Sequence, residues 1–181
     1  MYLGNRNEEV NPLFLATTEK AAWKFTVGAS GLTPTFAFAF GVAIAAAPPS
    51  VTIALYTDNA GAPDALVPNG DALLAFVIAV PFPATGVWHG AKFATPPVLA
   101  ANTDYWICIQ TESAPGDAIL LNTAAGAANQ QADPLADPLP LSDPYGAPPS
   151  YSNNTASIFV EDDAGAITGG RVVIPDNTIR L

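Results

Sequence analysis

Residues able to do acid–base or nucleophilic chemistry are few in this chain of 181 residues. His89 is the only histidine and Cys108 the only cysteine. A Ser-His-Asp triad would have to use His89, but the chain has no Gly-x-Ser-x-Gly turn to present the serine. One histidine and one cysteine do not make a zinc site. We therefore expect a buried, inert thiol, a histidine at the surface or paired within a strand, and no catalytic role for either.

The densest acidic cluster is the run Glu161-Asp162-Asp163. Paired carboxylates support glycoside hydrolysis, and carboxylate oxygens bind Ca²⁺. Because Ala164 and Gly165 follow, we interpret the run as a solvated hairpin turn, with a calcium site as the alternative. Asp58 and Asn59 are further candidate oxygen ligands, without the spacing of an EF-hand. We expect no enzymatic activity and no required cofactor.

Aromatic side chains outside the expected core are the candidates for ligand contact. Exposed rings stack on the C–H groups of sugars, and Trp88, Tyr145 and Tyr151 are the candidates for that role. Trp88 lies in a predicted strand, where a place in the core is the alternative. Tyr145 and Tyr151 lie in a Pro-rich segment. They either anchor this segment or are exposed on it. The sequence leaves these alternatives open.

Charge and composition exclude two classes of partner. The chain has 6 Lys and Arg against 16 Asp and Glu, which gives a net charge of −10. Binding along a nucleic-acid backbone requires a basic face, and binding to an anionic membrane requires clustered cations, so we expect neither partner. Only 12% of the residues are charged. The resulting neutral, Ala-rich surface is typical of contact with other proteins, or else reflects compositional bias alone.

Short apolar runs, separated by Gly and Pro, indicate β-strands. The chain contains 18 Pro and 14 Gly, and no segment has the periodicity of a long amphipathic helix. In the run Phe36–Phe40, Phe alternates with Ala, and we expect the Phe face to enter the core. The pattern predicts an all-β fold, a two-sheet antiparallel β-sandwich of jelly-roll type. The predicted strands are Trp23–Val27, Phe36–Phe40, Val51–Tyr56, Leu73–Val80, Gly86–Phe93, Tyr105–Gln110, Ala118–Leu121, Ser157–Glu161 and Arg171–Ile174.

We divide the chain into an N-terminal arm, residues 1–20, and a sandwich, residues 21–181. An apolar arm is unfavourable unless it is covered, either by a neighbouring subunit or by pairing with its own domain as an edge strand. Pro recurs through residues 123–156, which we interpret as a long, stiff surface loop inserted in the sandwich. The candidate contacts of the arm with neighbouring subunits are Tyr2, Leu3, Leu13, Phe14 and Leu15.

Two segments carry a resemblance to a known group of domains. Leu55–Pro63 is an alternating strand that ends in a Gly/Pro turn, and Asn102–Gln110 is a turn followed by a strand with adjacent Tyr and Trp. With the aromatic strand at Trp88 between them, this order resembles the carbohydrate-binding-module-like jelly-roll domains of bacterial surface proteins and phage virion proteins. The likeness covers about residues 20–122, with Ser157–Glu161 as the returning strand. It implies the sandwich fold and a core role for these residues, and no particular ligand.

These features lead to a hypothesis about function. The first ten residues lack the basic and apolar regions of a secretory signal, and the longest apolar stretch, Phe36–Ala47, is shorter than the ~20 residues of a membrane span. We therefore expect a chain that is made and kept in the host cytoplasm, where virions assemble, or that leaves it without the general secretion route. An exported type of fold, an apolar arm and few charges favour a non-enzymatic structural protein of a bacteriophage virion. It would be a capsid decoration (cement) or fibre protein that binds other virion proteins and copies of itself. The alternative is a glycan-binding module or adhesin of a tail tip or cell surface.

Overall fold

The chain folds as two stacked β-sheets, which confirms the predicted two-sheet β-sandwich. The computed structural model describes residues 1–16, 18–43, 50–75, 87–111, 119–137, 141–162 and 172–173. The predicted strand residues at 76–80, 86, 118, 171 and 174 lie outside these ranges. Within them, no helix is long and apolar enough to cross a membrane. The described strands are β1 (Tyr2–Gly4), β2 (Asn11–Leu15), β3 (Glu19–Thr26), β4 (Phe36–Ala43), β5 (Ser50–Asn59), β6 (Ala62–Ala75), β7 (Val87–Lys92), β8 (Asp104–Thr111), β9 (Ile119–Ala125), β10 (Gln131–Ala136), β11 (Tyr151–Ser152), β12 (Asn154–Ala156), β13 (Ile158–Glu161) and β14 (Val172–Val173).

The described strands divide into a sheet of eight and a sheet of six. In the larger sheet, β13 and β9 lie end to end along β4, because β13 pairs with Phe36–Ala39 and β9 with Gly41–Ala43. β1 and β2 continue outward in the same way, β1 on β13 and β2 on β9. On the other side of β4 follow β7 and then β14, which runs parallel to β7. The smaller sheet has the order β11-β10-β3-β8-β5-β6.

Large side chains of the six-stranded sheet and the small side chains on one face of β4 belong to the same main core. Trp23, Ile107 and Ile109 are fully buried on the first side, and Ala37 and Ala39 of β4 are fully buried on the second. Stacked sheets lie about 10 Å apart, so bulky residues on one sheet require small ones on the other for close packing. The Ala face of β4 therefore enters the main core.

The prediction that the Phe face of β4 enters this core is wrong. Phe36, Phe38 and Phe40 belong to a separate outer aromatic cluster, together with Trp88 and Phe159. The ring of Phe38 stacks on Phe159 with centroids 4.9 Å apart, and Trp88 packs edge-on against Phe159 at 5.1 Å. All five residues are at most 8% exposed. Because both faces of β4 are apolar, alternation alone does not reveal which one faces the other sheet.

The first 15 residues form an edge of the eight-stranded sheet, not a free arm. β1 pairs with β13 and β2 pairs with β9, both antiparallel. Leu3 and Leu15 are 2% and 0% exposed in the main core. Burying a Leu side chain contributes about 1.5–3 kcal/mol, so this segment is part of what holds the sandwich together. The structure thus has the edge-strand arrangement, one of the two ways of covering the arm.

The Pro-rich segment 123–156 also differs from the expected loop. It contains the end of β9 and all of β10, β11 and β12, and β10 extends the six-stranded sheet by pairing with β3. The β3–β10 ladder shifts register between Ala132 and Leu135, and a bulge accommodates Pro134 because no ladder donor is needed there. Residues 141–150, here called the strap, form a loop on the outer face of the six-stranded sheet.

Candidate functional site

Exposed large apolar side chains concentrate at one edge of the eight-stranded sheet. In the described residues, four of the five are Met1, Tyr2, Val10 and Phe14, at 55, 48, 81 and 53% exposure. The fifth, Val98, lies in the loop before β8 and is 76% exposed. All four lie in or next to β1 and β2, in the segment here called the N-terminal edge (residues 1–15). Sequence reasoning missed Met1 and Val10, which lie outside the apolar run Leu13-Phe14-Leu15.

The five residues that the sequence suggested as contacts with neighbouring subunits differ in how far they are buried. Leu3 and Leu15 lie in the main core, and Leu13 is partly buried against it. Tyr2 and Phe14 remain about half exposed. The first three therefore support the edge from beneath, and the last two face outward where a partner can reach them.

Polar contacts fix the residues between β1 and β2 on the outer aromatic cluster. Arg6 pairs with Glu161, and its guanidinium lies 5.0 Å from the ring centroid of Phe159. The indole Nε1 of Trp88 donates a hydrogen bond to Glu8 Oε1 at 3.2 Å. These contacts place the N-terminal edge in one conformation before any partner arrives, which lowers the entropic cost of binding.

Ser157 holds the entry to β2. Its hydroxyl accepts a hydrogen bond from Glu9 N at 2.9 Å, and Asn122 Nδ2 donates to Glu9 O at 2.6 Å. The backbone of Ser157 bridges two other strands, because its N donates to Asn122 O and its O accepts from Phe40 N, both at 2.9 Å. A buried residue that lies between strands thus positions Val10 and the strand that follows.

Pro12 protects the side of β2 on which no described strand pairs. Asn122, the Cα partner of Pro12, turns its backbone away from β2, because its O accepts from Ser157 N. In an antiparallel pair of this kind both backbones point outward, so Pro12 faces the open side and has no N–H to offer. Edge prolines prevent strand addition. Strand addition on this side of β2 is therefore disfavoured, and Val10 and Phe14 are exposed beside it.

A buried lysine holds the strap on the other sheet. Lys20 of β3 is fully buried, and its Nζ donates to Asp137 Oδ2 at 2.5 Å, Ser142 Oγ at 2.5 Å and Tyr145 O at 2.6 Å. An ammonium group has three donors, and all are used. Partial burial alone would raise the pKa of Asp137, but hydrogen bonds from Lys20 and Ser142 and the charge of Lys20 lower it below its ordinary value.

Tyr145 anchors the strap and is not displayed at the surface, and these are the two alternatives that the sequence left open. It is fully buried, and its ring meets that of Tyr56 edge-on with centroids 5.0 Å apart. Tyr145 N donates to Asp64 O at 2.8 Å, and Tyr56 Oη donates to Ser142 O at 2.9 Å. Burial raises the pKa of Tyr145 well above its usual value, so the phenol stays neutral. Trp88, at 2% exposure, is likewise a core residue and offers no surface to a ligand.

Tyr151 remains at the surface, among groups of both charges. Its ring lies 6.0 Å from that of Trp106, and Lys24 Nζ lies 5.7 Å from the same Trp106 ring. Trp106 Nε1 donates to Asp58 Oδ1 at 2.7 Å. The Tyr151 ring, the Lys24 ammonium and the Asp58 carboxylate, all half-buried, thus lie around the buried Trp106. Burial, and then the charge of Asp58, raises the pKa of Tyr151.

The lone histidine and the lone cysteine are both buried. Cys108 is 0% exposed, as predicted, and burial raises its pKa to about 12. His89 is 0% exposed on β7, where it is the Cα partner of Ala39, and its Nε2 lies 3.3 Å from Gly41 O. Neither residue is placed to meet a substrate at the surface of the sandwich.

The acidic run at the end of β13 binds groups of the N-terminal edge. Glu161 pairs with Arg6, and Asp162 pairs with the amino group of Met1. The hydrogen bond from that amino group lowers the pKa of Asp162. Asp163 lies outside the described residues. Among those that are described, no three His, Cys, Asp or Glu side chains are grouped to hold a metal ion.

Comparison of the chain with protein-family models, curated proteins and solved structures finds no match. The likeness to carbohydrate-binding-module-like domains therefore stays a prediction. The two segments that suggested it, Leu55–Pro63 and Asn102–Gln110, contribute to neighbouring strands, because β5 pairs with β8 from Val51 to Thr57.

Proposed function

We propose that this chain is a non-enzymatic structural protein of a bacteriophage virion, a capsid decoration (cement) or fibre protein. It binds neighbouring virion subunits through its N-terminal edge. The observation that carries the proposal is the row of exposed apolar side chains along that edge, from Tyr2 through Val10 to Phe14. An apolar patch rimmed by polar residues is typical of an interaction surface. The stacked sheets supply a rigid body that presents this surface.

Docking occurs by burial of side chains, because Pro12 disfavours strand addition. Phe14 is 53% exposed, and a Phe side chain buries ~150–250 Å² at about 25 cal/mol per Å². Covering its exposed half therefore contributes about 2–3 kcal/mol. Since this contact carries no charge, affinity should change little with salt concentration.

The test uses point variants, because Leu3 and Leu15 make deletion of the segment a test of folding. The double variant Val10→Ser, Phe14→Ser removes the exposed apolar groups and leaves the buried ones. Val98→Ser is the matched control, since Val98 is exposed to a similar extent at another place. Virions assembled with each variant are purified by sedimentation, and the bound chain is quantified.

Wild type and the Val98→Ser control are expected to co-sediment with the particles. The double variant should lose at least tenfold in binding, since about 2 kcal/mol or more is removed. A wild-type chain that is absent from the particles contradicts the proposal.

A second candidate function, a glycan-binding module or adhesin, is favoured by the surroundings of Tyr151. Sugar sites combine an aromatic face with a few polar groups, and here Lys24 and Asp58 contact Trp106, against which the Tyr151 ring packs. A glycan array tests it: a hit lost in Tyr151→Ala, kept in Tyr151→Phe and unaffected by Tyr2→Ala supports this function. An array without a hit for the wild type removes it.

A further inference from the structure

The end of the strap displays a pair of prolines. The residues Pro148–Tyr151, here called the Pro-Pro segment, have the sequence Pro-Pro-Ser-Tyr and lead from the strap into β11. Pro149 and Ser150 are exposed, and Pro148 and Tyr151 are half-buried. The described residues contain one other such pair, Pro96-Pro97, and its second proline is buried. The strap thus presents a proline pair to solvent that the other loop does not.

The backbone beside these prolines is available to a partner. Residues 146–149 form no backbone hydrogen bond with any described residue, and Pro148 and Pro149 have no N–H. A proline disfavours helical conformation in the residue before it, so Ala147 and Pro148 favour extended or polyproline II geometry. The chain then bends at Pro149. The prolines therefore offer rings and carbonyl acceptors, and no donors.

Fixed residues on both sides hold the Pro-Pro segment in place. On one side Tyr145 is fully buried, and its N donates to Asp64 O at 2.8 Å. On the other side Ser150 O accepts from Asp133 N at 3.1 Å, and Ser150 Oγ donates to Asp133 Oδ2 at 2.6 Å. The segment is thus ordered before any partner arrives, which lowers the entropic cost of binding.

The chemistry of the segment selects a class of partner. A partner strand cannot form a regular ladder along it, because Pro148 and Pro149 have no N–H to donate. Extended prolines dock instead in grooves that are lined by aromatic side chains, and their preformed conformation favours such binding. Tyr151 adds a ring that keeps part of its surface in solvent.

We propose that Pro148–Tyr151 is a docking segment for a second protein, whose aromatic-lined groove takes both prolines and the Tyr151 ring. The proposal goes beyond the proposed function, because β11 belongs to the six-stranded sheet and the N-terminal edge to the eight-stranded one. It also gives the buried Lys20 a purpose: by binding Ser142 Oγ and Tyr145 O, its ammonium fixes the loop that carries the segment.

Titration of the isotope-labelled chain with a WW domain, followed by NMR, tests the docking. A WW domain is the probe because its aromatic-lined groove takes Pro-Pro-x-Tyr segments. The amide signals of Ala147, Ser150 and Tyr151 should shift as the WW domain is added, whereas that of Val98 should stay in place.

Point variants show which residues carry the binding. Pro148→Ala, Pro149→Ala and Tyr151→Ala should each weaken the affinity roughly tenfold or more, because each removes a ring from the centre of the contact. Pro96→Ala is the matched control for Pro148→Ala, since both prolines are half-buried and precede another proline. This control should bind as the wild type does.

Three results overturn the proposal. One is a wild-type chain that does not bind the WW domain. Another is an affinity that is unchanged in Pro148→Ala, Pro149→Ala and Tyr151→Ala. The third is an equal loss in the Pro96→Ala control, which would place the contact elsewhere.

These failures are distinct from failure of either function considered above. The double variant Val10→Ser, Phe14→Ser, which tests binding to virions, should bind the WW domain as the wild type does. A glycan hit that is lost in Tyr151→Ala and kept in Pro148→Ala supports the glycan function and leaves the result of the titration to decide the docking.

Discussion

The Lys20 ammonium lies 2.5 Å from the Asp137 carboxylate, and the two partners differ in access to water. Lys20 is 0% exposed, whereas the Asp137 side chain is 18% exposed. The pair joins β3 to the residue that follows β10, just before the strap. Because water reaches only the carboxylate, loss of one partner is not equivalent to loss of the other.

We expect Asp137→Asn to destabilise the chain more than Lys20→Met. The first change leaves a buried ammonium without its counter-charge, which costs about 3–5 kcal/mol, whereas the second leaves a carboxylate that water can reach. Urea unfolding of both variants measures the difference. Equal losses, or a larger loss for Lys20→Met, would contradict the argument from the different access of the two partners to water.

Acid should loosen the strap. The folded-state pKa of Asp137 is lowered, so its contribution to stability is complete above the unfolded value of about 3.9 and is lost as pH falls through the lower folded value. We expect amide exchange of Tyr145, whose N donates to Asp64 O, to accelerate below about pH 4. Lys20→Met should flatten this dependence, because the hydrogen bond and the charge of Lys20, which lower the pKa of Asp137, are then gone. An unchanged acid response in the variant would contradict the assignment.

Cys108 should resist thiol reagents in the folded chain. With a pKa of about 12, its thiolate fraction at pH 8 is roughly a thousandfold or more below that of a free cysteine, and burial blocks access as well. An Ellman reaction at pH 8 should therefore be slow in buffer and yield one thiol per chain in urea. Rapid labelling of the native protein would mean that the strap opens readily.

Residues of the outer aromatic cluster should contribute to the free energy of unfolding as residues of the main core do. Phe38 is 0% exposed and stacks on Phe159, so Phe38→Ala should cost about 3–5 kcal/mol in the free energy of unfolding. Phe14→Ala is the comparison variant and should cost less, about 2 kcal/mol, because Phe14 is 53% exposed and only its buried half is lost. Similar losses for the two variants would contradict the burial of this cluster.

The positions of β3, β4, β5, β8 and β13 could be predicted from the sequence, but not those of β10, β11 and β12, nor which face of β4 points inward. Alternation in Phe36–Phe40 gives the period of a strand, and both of its faces are apolar. The choice depends on the bulk that the opposite sheet presents, with Trp23 and Ile107 buried in the main core. That information lies in other strands and becomes visible only when the sheets are stacked.

The candidate sites show the same limit. The sequence placed Tyr145 and Tyr151 in one segment and could not distinguish them. Tyr145 is buried because Lys20, more than 100 positions earlier, holds the residues around it, whereas Tyr151 begins an edge strand and keeps part of its ring in solvent. Phe14 was found because it lies in the apolar run Leu13-Phe14-Leu15, and Val10 was missed because it precedes that run.

The ratio of this chain to the major shell protein in purified virions tests the central claim most directly. The account predicts a fixed ratio for wild type and for Val98→Ser, and a ratio at least tenfold lower for the variant Val10→Ser, Phe14→Ser. Virions that lack the wild-type chain, or that carry the double variant at the wild-type ratio, would contradict it.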